Sequence, residues 1–211
     1  AQQQDPTPEQ VGGDGISGSE PAPVRTTPKS PVLPSQGVAI ERHGQLGGEG
    51  PTVYAYADVI DELMFHAGYR DEQALSLLLG GCYQGPAGPF IEIVGFSATQ
   101  YVADIRSASE EVGRAYKRLL DDSEADGVQV LGWSYGTGGS KGKMELDALR
   151  VHLTWFNFSQ HVFLSIDPAA KTYGFYRRSV AGGMVNLGFN LIRDQKLQTN
   201  HPEEQQDGED R

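Results

Sequence analysis

The stretch from Val128 to Pro168, VQVLGWSYGTGGSKGKMELDALRVHLTWFNFSQHVFLSIDP, decides how the chain is read. Val128 to Trp133 is a short apolar run rich in valine, which predicts a sheet strand. Gly136 to Gly142 is glycine-rich and predicts a loop. Leu146, Leu149, Leu153 and Phe156 recur at helical spacing, so an amphipathic helix follows with those residues on one side. His161–Ile166 and Thr172–Arg177 flank the turn Asp167-Pro168-Ala169-Ala170-Lys171, which predicts a hairpin.

Working back toward the N-terminus, Tyr54–Tyr56 predicts a short strand. Asp58 suits the N-cap of a helix, and Ile60, Leu63, Met64 and Ala67 fall on one face of it. Gly68 is the stop signal. Ala74–Tyr83 and Phe90–Ala98 predict paired strands around the Gln84-Gly85-Pro86 turn. Ser107 or Ser109 is expected to cap a second helix, with Glu110 and Glu111 in its first turn and Val112, Ala115, Tyr116, Leu119 and Leu120 as its apolar stripe. Val185–Ile192 is the last strand expected. Helix, hairpin, helix, strand, helix, hairpin, strand is an α+β order. It predicts a three-layer α/β/α domain whose mixed sheet is largely antiparallel.

The boundaries come from composition. All 19 aromatic residues lie between Tyr54 and Phe189, and eight of the 12 prolines lie in residues 1–51. Residues 1–51 are therefore expected to be a disordered tail, 52–193 the folded domain, and 194–211 a disordered acidic tail, because neither end has enough apolar surface to offset the entropy of ordering. The net charge is −11. That balance argues against nucleic acid and anionic membrane as partners, which require a basic face. The single cysteine rules out an internal disulfide framework. No run of about 18 apolar residues is present to span a membrane. The first 30 residues show no charged start followed by an apolar stretch, and the expectation is a soluble, cytoplasmic protein.

Several segments together resemble the MPN domain family, also known as the JAB, JAMM or Mov34 type. Ser76-Leu77-Leu78-Leu79-Gly80 is similar to the family's first long strand and Ile91–Val94 to its partner. Val130-Leu131-Gly132-Trp133 resembles the strand leading into the site. Asp147-Ala148-Leu149 with His152–Phe156, followed by Val162–Pro168, resembles the site helix and the strand after it. The resemblance spans about residues 52–192 and implies a cytidine-deaminase-like fold.

In catalytic members, two histidines in an HxHP motif and an aspartate hold zinc, with water in the open fourth position. A glutamate acts as general base and a serine stabilises the oxyanion. Carried over by position, the histidines fall on Tyr135 and Thr137, the proline on Gly138, the aspartate on Asp147, the serine on Met144 and the glutamate on Gln73. A phenol with an ordinary pKa of about 10 and a threonine hydroxyl are poor zinc ligands. An amide takes no proton from water. The resemblance therefore implies a pseudoenzyme without cofactor: a scaffold that pairs with another MPN domain or with its own copy, or that binds a peptide in the vestigial cleft. Trp133, Ser134, Tyr135, Gly136, Gly138 and Gly139 would line that cleft. The alternative is a divergent zinc peptidase or isopeptidase acting on a ubiquitin-like or sulfur-carrier tail, using Asp147 with Glu72 or Glu145.

Other patterns carry less. Gly132-Trp133-Ser134-Tyr135-Gly136 matches the GxSxG string of serine hydrolases, but that elbow needs a helix directly after the serine. The glycine-rich loop lacks phosphate-loop spacing. His152 lies about 140° round the helix from Asp147, so it reads as a core or boundary histidine. His66 near a helix C-terminus suits the helix dipole. His43 and His201 fall in the tails. Cys82 reads as a small buried residue. Lys171, Arg177 and Arg178 make a small basic spot.

Overall fold

The computed structural model describes residues 38–46, 50–69, 73–103, 105–122, 129–136 and 144–194. Nine strands and three helices form among them: β1 (Val38–His43), β2 (Thr52–Tyr56), α1 (Ala57–Gly68), β3 (Leu75–Gly85), β4 (Gly88–Ala98), α2 (Ile105–Asp122), β5 (Gln129–Gly136), α3 (Met144–Trp155), β6 (Val162–Asp167), β7 (Thr172–Arg178), β8 (Met184–Leu187) and β9 (Phe189–Asp194). All nine strands belong to one sheet in the order β1-β9-β2-β4-β3-β5-β6-β7-β8. The β2–β4, β2–β9 and β5–β6 pairs are parallel and the rest antiparallel. The expected mixed, largely antiparallel α+β sheet is present.

Helices cover both faces. Ile60, Leu63 and Ala67 of α1 pack with Leu78, Ile93, Leu131 and Leu164 on one face. Val112 and Ala115 of α2 and Ala148 and Val151 of α3 pack with Leu77, Trp133 and Phe163 on the other. Strand alternation explains the division along β3, where Leu75, Leu77 and Leu79 face α2 and α3 while Leu78 faces α1. In β5 the alternation is broken by a bulge. The register with β3 jumps between Leu78↔Gly132 and Leu79↔Val130, which sends Leu131 to the α1 face and Trp133 to the other.

Several expectations change. Residues 1–51 do not form a structureless tail throughout. Val38–His43 is an edge strand whose six residues pair antiparallel with β9. His43 thus leaves the tail and stacks on Phe189, with ring centroids 4.8 Å apart. The alternating VAIERH needs only a neighbour to pair with, and that neighbour is far along the chain. The expected single last strand is two, parted at Gly188. A Cβ there would lie 2.3 Å from the Gln45 carbonyl oxygen, so the chain crosses too closely for any side chain.

Helix starts also move. Asp58 lies inside α1, where its Oδ1 accepts a hydrogen bond from the Val59 N–H (2.9 Å), and the cap position is Tyr56. Helix α2 begins at Ile105, so Ser107 and Ser109 are internal and the first turn holds no acid. Helix α3 is turned relative to expectation. It buries Ala148, Val151 and His152, while Leu146 and Leu153 face outward at 70% and 36% exposure. Helical periodicity in a short segment fits more than one face, and here Ala148, Val151 and His152 take the buried one. Cys82 is exposed, on the outer half of β3. Arg177 is buried and its Nη1 donates to the Pro51 carbonyl (3.5 Å), so it leaves the expected basic spot.

Candidate functional site

Two of the positions singled out in the sequence, Gln73 and Tyr135, lie on neighbouring segments at one end of the sheet. There β3 begins and β5 ends side by side, with Leu75 opposite Tyr135 and Ser76 opposite Ser134. The Gly136 N–H donates to the Ala74 carbonyl at 2.9 Å. Gln73, one residue further out, is fixed by two backbone hydrogen bonds with Val102, at 3.1 and 2.9 Å. The C-terminal turn of α1 closes over the same point. A Cβ on Gly136 would meet the Ala67 Cβ at 2.9 Å, which accounts for glycine there. The structure thus brings the Gln73 and Tyr135 segments together.

The individual side chains are placed less openly than a cleft requires. Trp133, Ser134 and Tyr135 are 0%, 2% and 3% exposed, and Gly136 is buried too. Trp133 packs against Phe163 with centroids 4.5 Å apart, so it belongs to the core and walls no cleft. Ser134 sits within a strand hydrogen-bonded on both sides, opposite Ser76 and Leu164, with no helix directly after it. That is not a nucleophile elbow. Thr137, Gly138 and Gly139, with the rest of the glycine-rich stretch, lie outside the described residues, as does Glu72. Met144 and Glu145 open α3. Asp147, one turn on, pairs with Arg150 at 3.1 Å.

Reasoning from sequence missed a polar group on the opposite face. The His66 Nδ1 lies 3.2 Å from the Tyr101 hydroxyl, which also donates to the His66 carbonyl at 3.3 Å. The His66 Nε2 and the Gln73 Oε1 are both buried without a hydrogen-bond partner among the described residues. Burial holds the His66 pKa below the usual imidazole value, opposed in part by the Leu75 backbone. The ring is therefore biased toward its neutral form, which weakens the expected cation–dipole pairing at the helix end. The signal available in the sequence was a histidine one residue before Ala67 of the buried face.

A second histidine group lies under α3. His152 is 1% exposed, and neither ring nitrogen has a partner among the described residues. Its pKa is lowered to about 4 by burial first, then by His161 and Arg178. The His161 Nδ1 accepts the Phe158 N–H at 3.3 Å, and burial lowers its pKa as well. Phe156 lies between the two rings. His152 is thus the core histidine expected from sequence, but its ring is not satisfied by hydrogen bonds among the described residues as expected.

The donors at the described positions do not fit zinc. Zinc sites use thiolate, imidazole and carboxylate. Here the described positions carry a buried phenol, an amide and a carboxylate already paired with a guanidinium. Among the described residues no group of three or more His, Cys, Asp or Glu is placed to hold a metal ion.

No helix among the described residues is long and apolar enough to cross a membrane. No family model matches the chain, and no curated protein matches it. The class defined by the fold is accordingly a mixed α/β domain with one continuous sheet and helices on both faces.

Proposed function

We propose that the chain is a degenerate MPN-type domain that works as a protein-interaction module without hydrolytic chemistry. One observation carries the reading. The only carboxylate at the described positions corresponding to the catalytic set is Asp147, and it forms an ion pair with Arg150 at 3.1 Å. Gln73 supplies an amide, which takes no proton from water, and Tyr135 a phenol sealed in the core. An active site of this type needs an open metal position and a carboxylate base. What the domain offers instead is surface. Phe65, Tyr69, Leu146 and Phe158 are each more than half exposed, and aromatic side chains are enriched in protein contacts.

The test is cleavage of a ubiquitin-like protein carrying an isopeptide-linked tail, in zinc-containing buffer. The full chain and its Asp147→Ala variant are expected to give the same background rate. Zinc-dependent cleavage that disappears in the variant overturns the reading in favour of a divergent isopeptidase.

A further inference from the structure

One stripe of α1 faces solvent. Asp58, Asp61, Glu62, Phe65 and Tyr69 are all exposed. They fall at i, i+3, i+4, i+7 and i+11, which is a single side of the helix. Tyr69, at the C-cap, keeps helical backbone angles and so stays in line. The Phe65 and Tyr69 rings lie 5.9 Å apart. Three carboxylates are thus followed by two adjacent aromatic rings, and α1 itself contains no lysine or arginine.

Strand β1 brings a matching segment to this stripe. Ile40 pairs with Ile192, and Ile192 with Tyr56. Val38 therefore stands beyond that row, on the side where β2 turns into α1. Burial first, then Glu41 of β1, hold the Tyr173 phenol above its usual range; Arg193 opposes them and Asp61 of α1 adds to them. Strand and helix thus flank the same ring. Residues 24–34, just before β1, read VRTTPKSPVLP. Arg25, Pro28, Pro31 and Pro34 recur at every third position, which is one edge of a polyproline helix with three residues per turn. Segments of that form are recognised by aromatic side chains. Arg25 and Lys29 carry the charge opposite to Asp58, Asp61 and Glu62.

We infer that the acidic–aromatic stripe of α1 is a docking site for a basic, proline-rich segment, and that residues 25–34 of the same chain are its occupant. The inference rests on the interaction-module reading, in taking α1 as a contact surface, and adds the regulation of that surface. An outside partner for Phe65 and Tyr69 must displace the chain's own segment. The reach is sufficient. Two strand spacings separate β1 from β2, roughly 10 Å, and Phe65 lies roughly 12 Å along α1. Residues 28–37 span about 31 Å at the polyproline rise. Contacts between exposed groups of this kind add little to overall stability, so melting does not report the docking and a local probe does.

The experiment is paramagnetic broadening of amide signals in the full chain. Ser30→Cys in a Cys82→Ser background carries one nitroxide. The amides of Asp61 to Tyr69 should lose most of their intensity and regain it when the nitroxide is reduced. Those of Leu146 to Leu153, on the other face of the sheet, should keep theirs. Proximity along the chain alone could broaden α1, so the contact itself is removed in two ways. Phe65→Ser removes a ring that is 73% exposed, and Arg25→Glu with Lys29→Glu reverses the charge of the segment without touching the domain. Either change should restore most of the lost intensity. Should Phe65→Ser disturb folding, the segment variant decides alone. Undiminished α1 signals in the parent chain overturn the docking, as does broadening that persists unchanged when the segment charge is reversed. An isotope-labelled chain without nitroxide, mixed with a nitroxide-bearing chain at natural abundance, should show no broadening. Broadening there places the segment on another copy and overturns the assignment to the same chain. None of these signals depends on zinc or cleavage, so failure of the docking is distinguishable from failure of the non-hydrolytic reading.

Discussion

Gly132 in β5 lies so close to Val162 in the parallel strand β6 that a Cβ on it would stand 1.8 Å from the Val162 carbonyl oxygen. It also holds a φ of +154°. The glycine that carries part of the family resemblance is therefore required by the bulge and by the strand beside it. Gly132→Ala must push β6 away or abandon the bulge that assigns Leu131 and Trp133 to opposite faces. It is expected to cost about 4 kcal/mol or more, as severe backbone and packing clashes do. Urea denaturation measures it, and a loss of under about 1 kcal/mol would mean that the strands separate easily.

Trp133 is completely buried, and its indole N–H has no partner among the described residues. Its contribution is therefore packing. Trp133→Ala should cost about 3–5 kcal/mol through the cavity it leaves. Trp133→Phe should cost markedly less, since no hydrogen bond is lost and Phe keeps the contact with Phe163. Equal losses in the two variants would show that the N–H has a role.

His152 couples stability to acid. Its folded pKa of about 4 lies below the ordinary imidazole value of 6.5, so the unfolded chain binds more protons between those values. Stability is full above about pH 6.5 and falls as pH drops toward 4, by roughly 3 kcal/mol at most for a shift of this size. His66 and His161 are shifted in the same direction and add to the loss. His152→Leu should flatten the dependence of the urea midpoint on pH in that window. An unchanged slope would place the protonation elsewhere.

Strand β1 covers one edge of β9, with partners from Val38↔Asp194 to His43↔Phe189. A chain shortened to begin at residue 52 exposes that edge and removes the His43–Phe189 stack. It should be less stable and prone to aggregate, because an uncovered edge invites pairing with other chains. A chain beginning at residue 37 should melt like the full protein. Equal melting of the two would make β1 dispensable.

The strands read most directly from sequence are those with unbroken apolar runs, β3, β4 and β6, together with the β6–β7 hairpin around Asp167, where Oδ1 accepts the Ala170 N–H at 3.0 Å. Their signals are local. Strand β1 was hidden because its stability comes from a partner about 150 residues away, and its own composition is that of the polar segment around it. The face of α3 was misjudged because Leu146, Leu149 and Leu153 drew the apolar stripe, whereas the buried side is Ala148, Val151 and His152. At the site, the neighbourhood of Gln73 and Tyr135 was legible only through the family resemblance, which placed both in one site. The burial of Trp133 and the His66–Tyr101 contact were not, because both depend on what packs above the strand. The α1 surface had a signal that went unused. Phe65 and Tyr69 share helical spacing off the Ile60–Leu63–Ala67 face.

The central claim is that Asp147, paired with Arg150, is not a metal ligand. The most direct measurement is the zinc content of the full chain after exposure to zinc and desalting. The account predicts less than about a tenth of an equivalent, in the wild type and in Asp147→Ala alike. About one equivalent in the wild type, lost in Asp147→Ala, would contradict it.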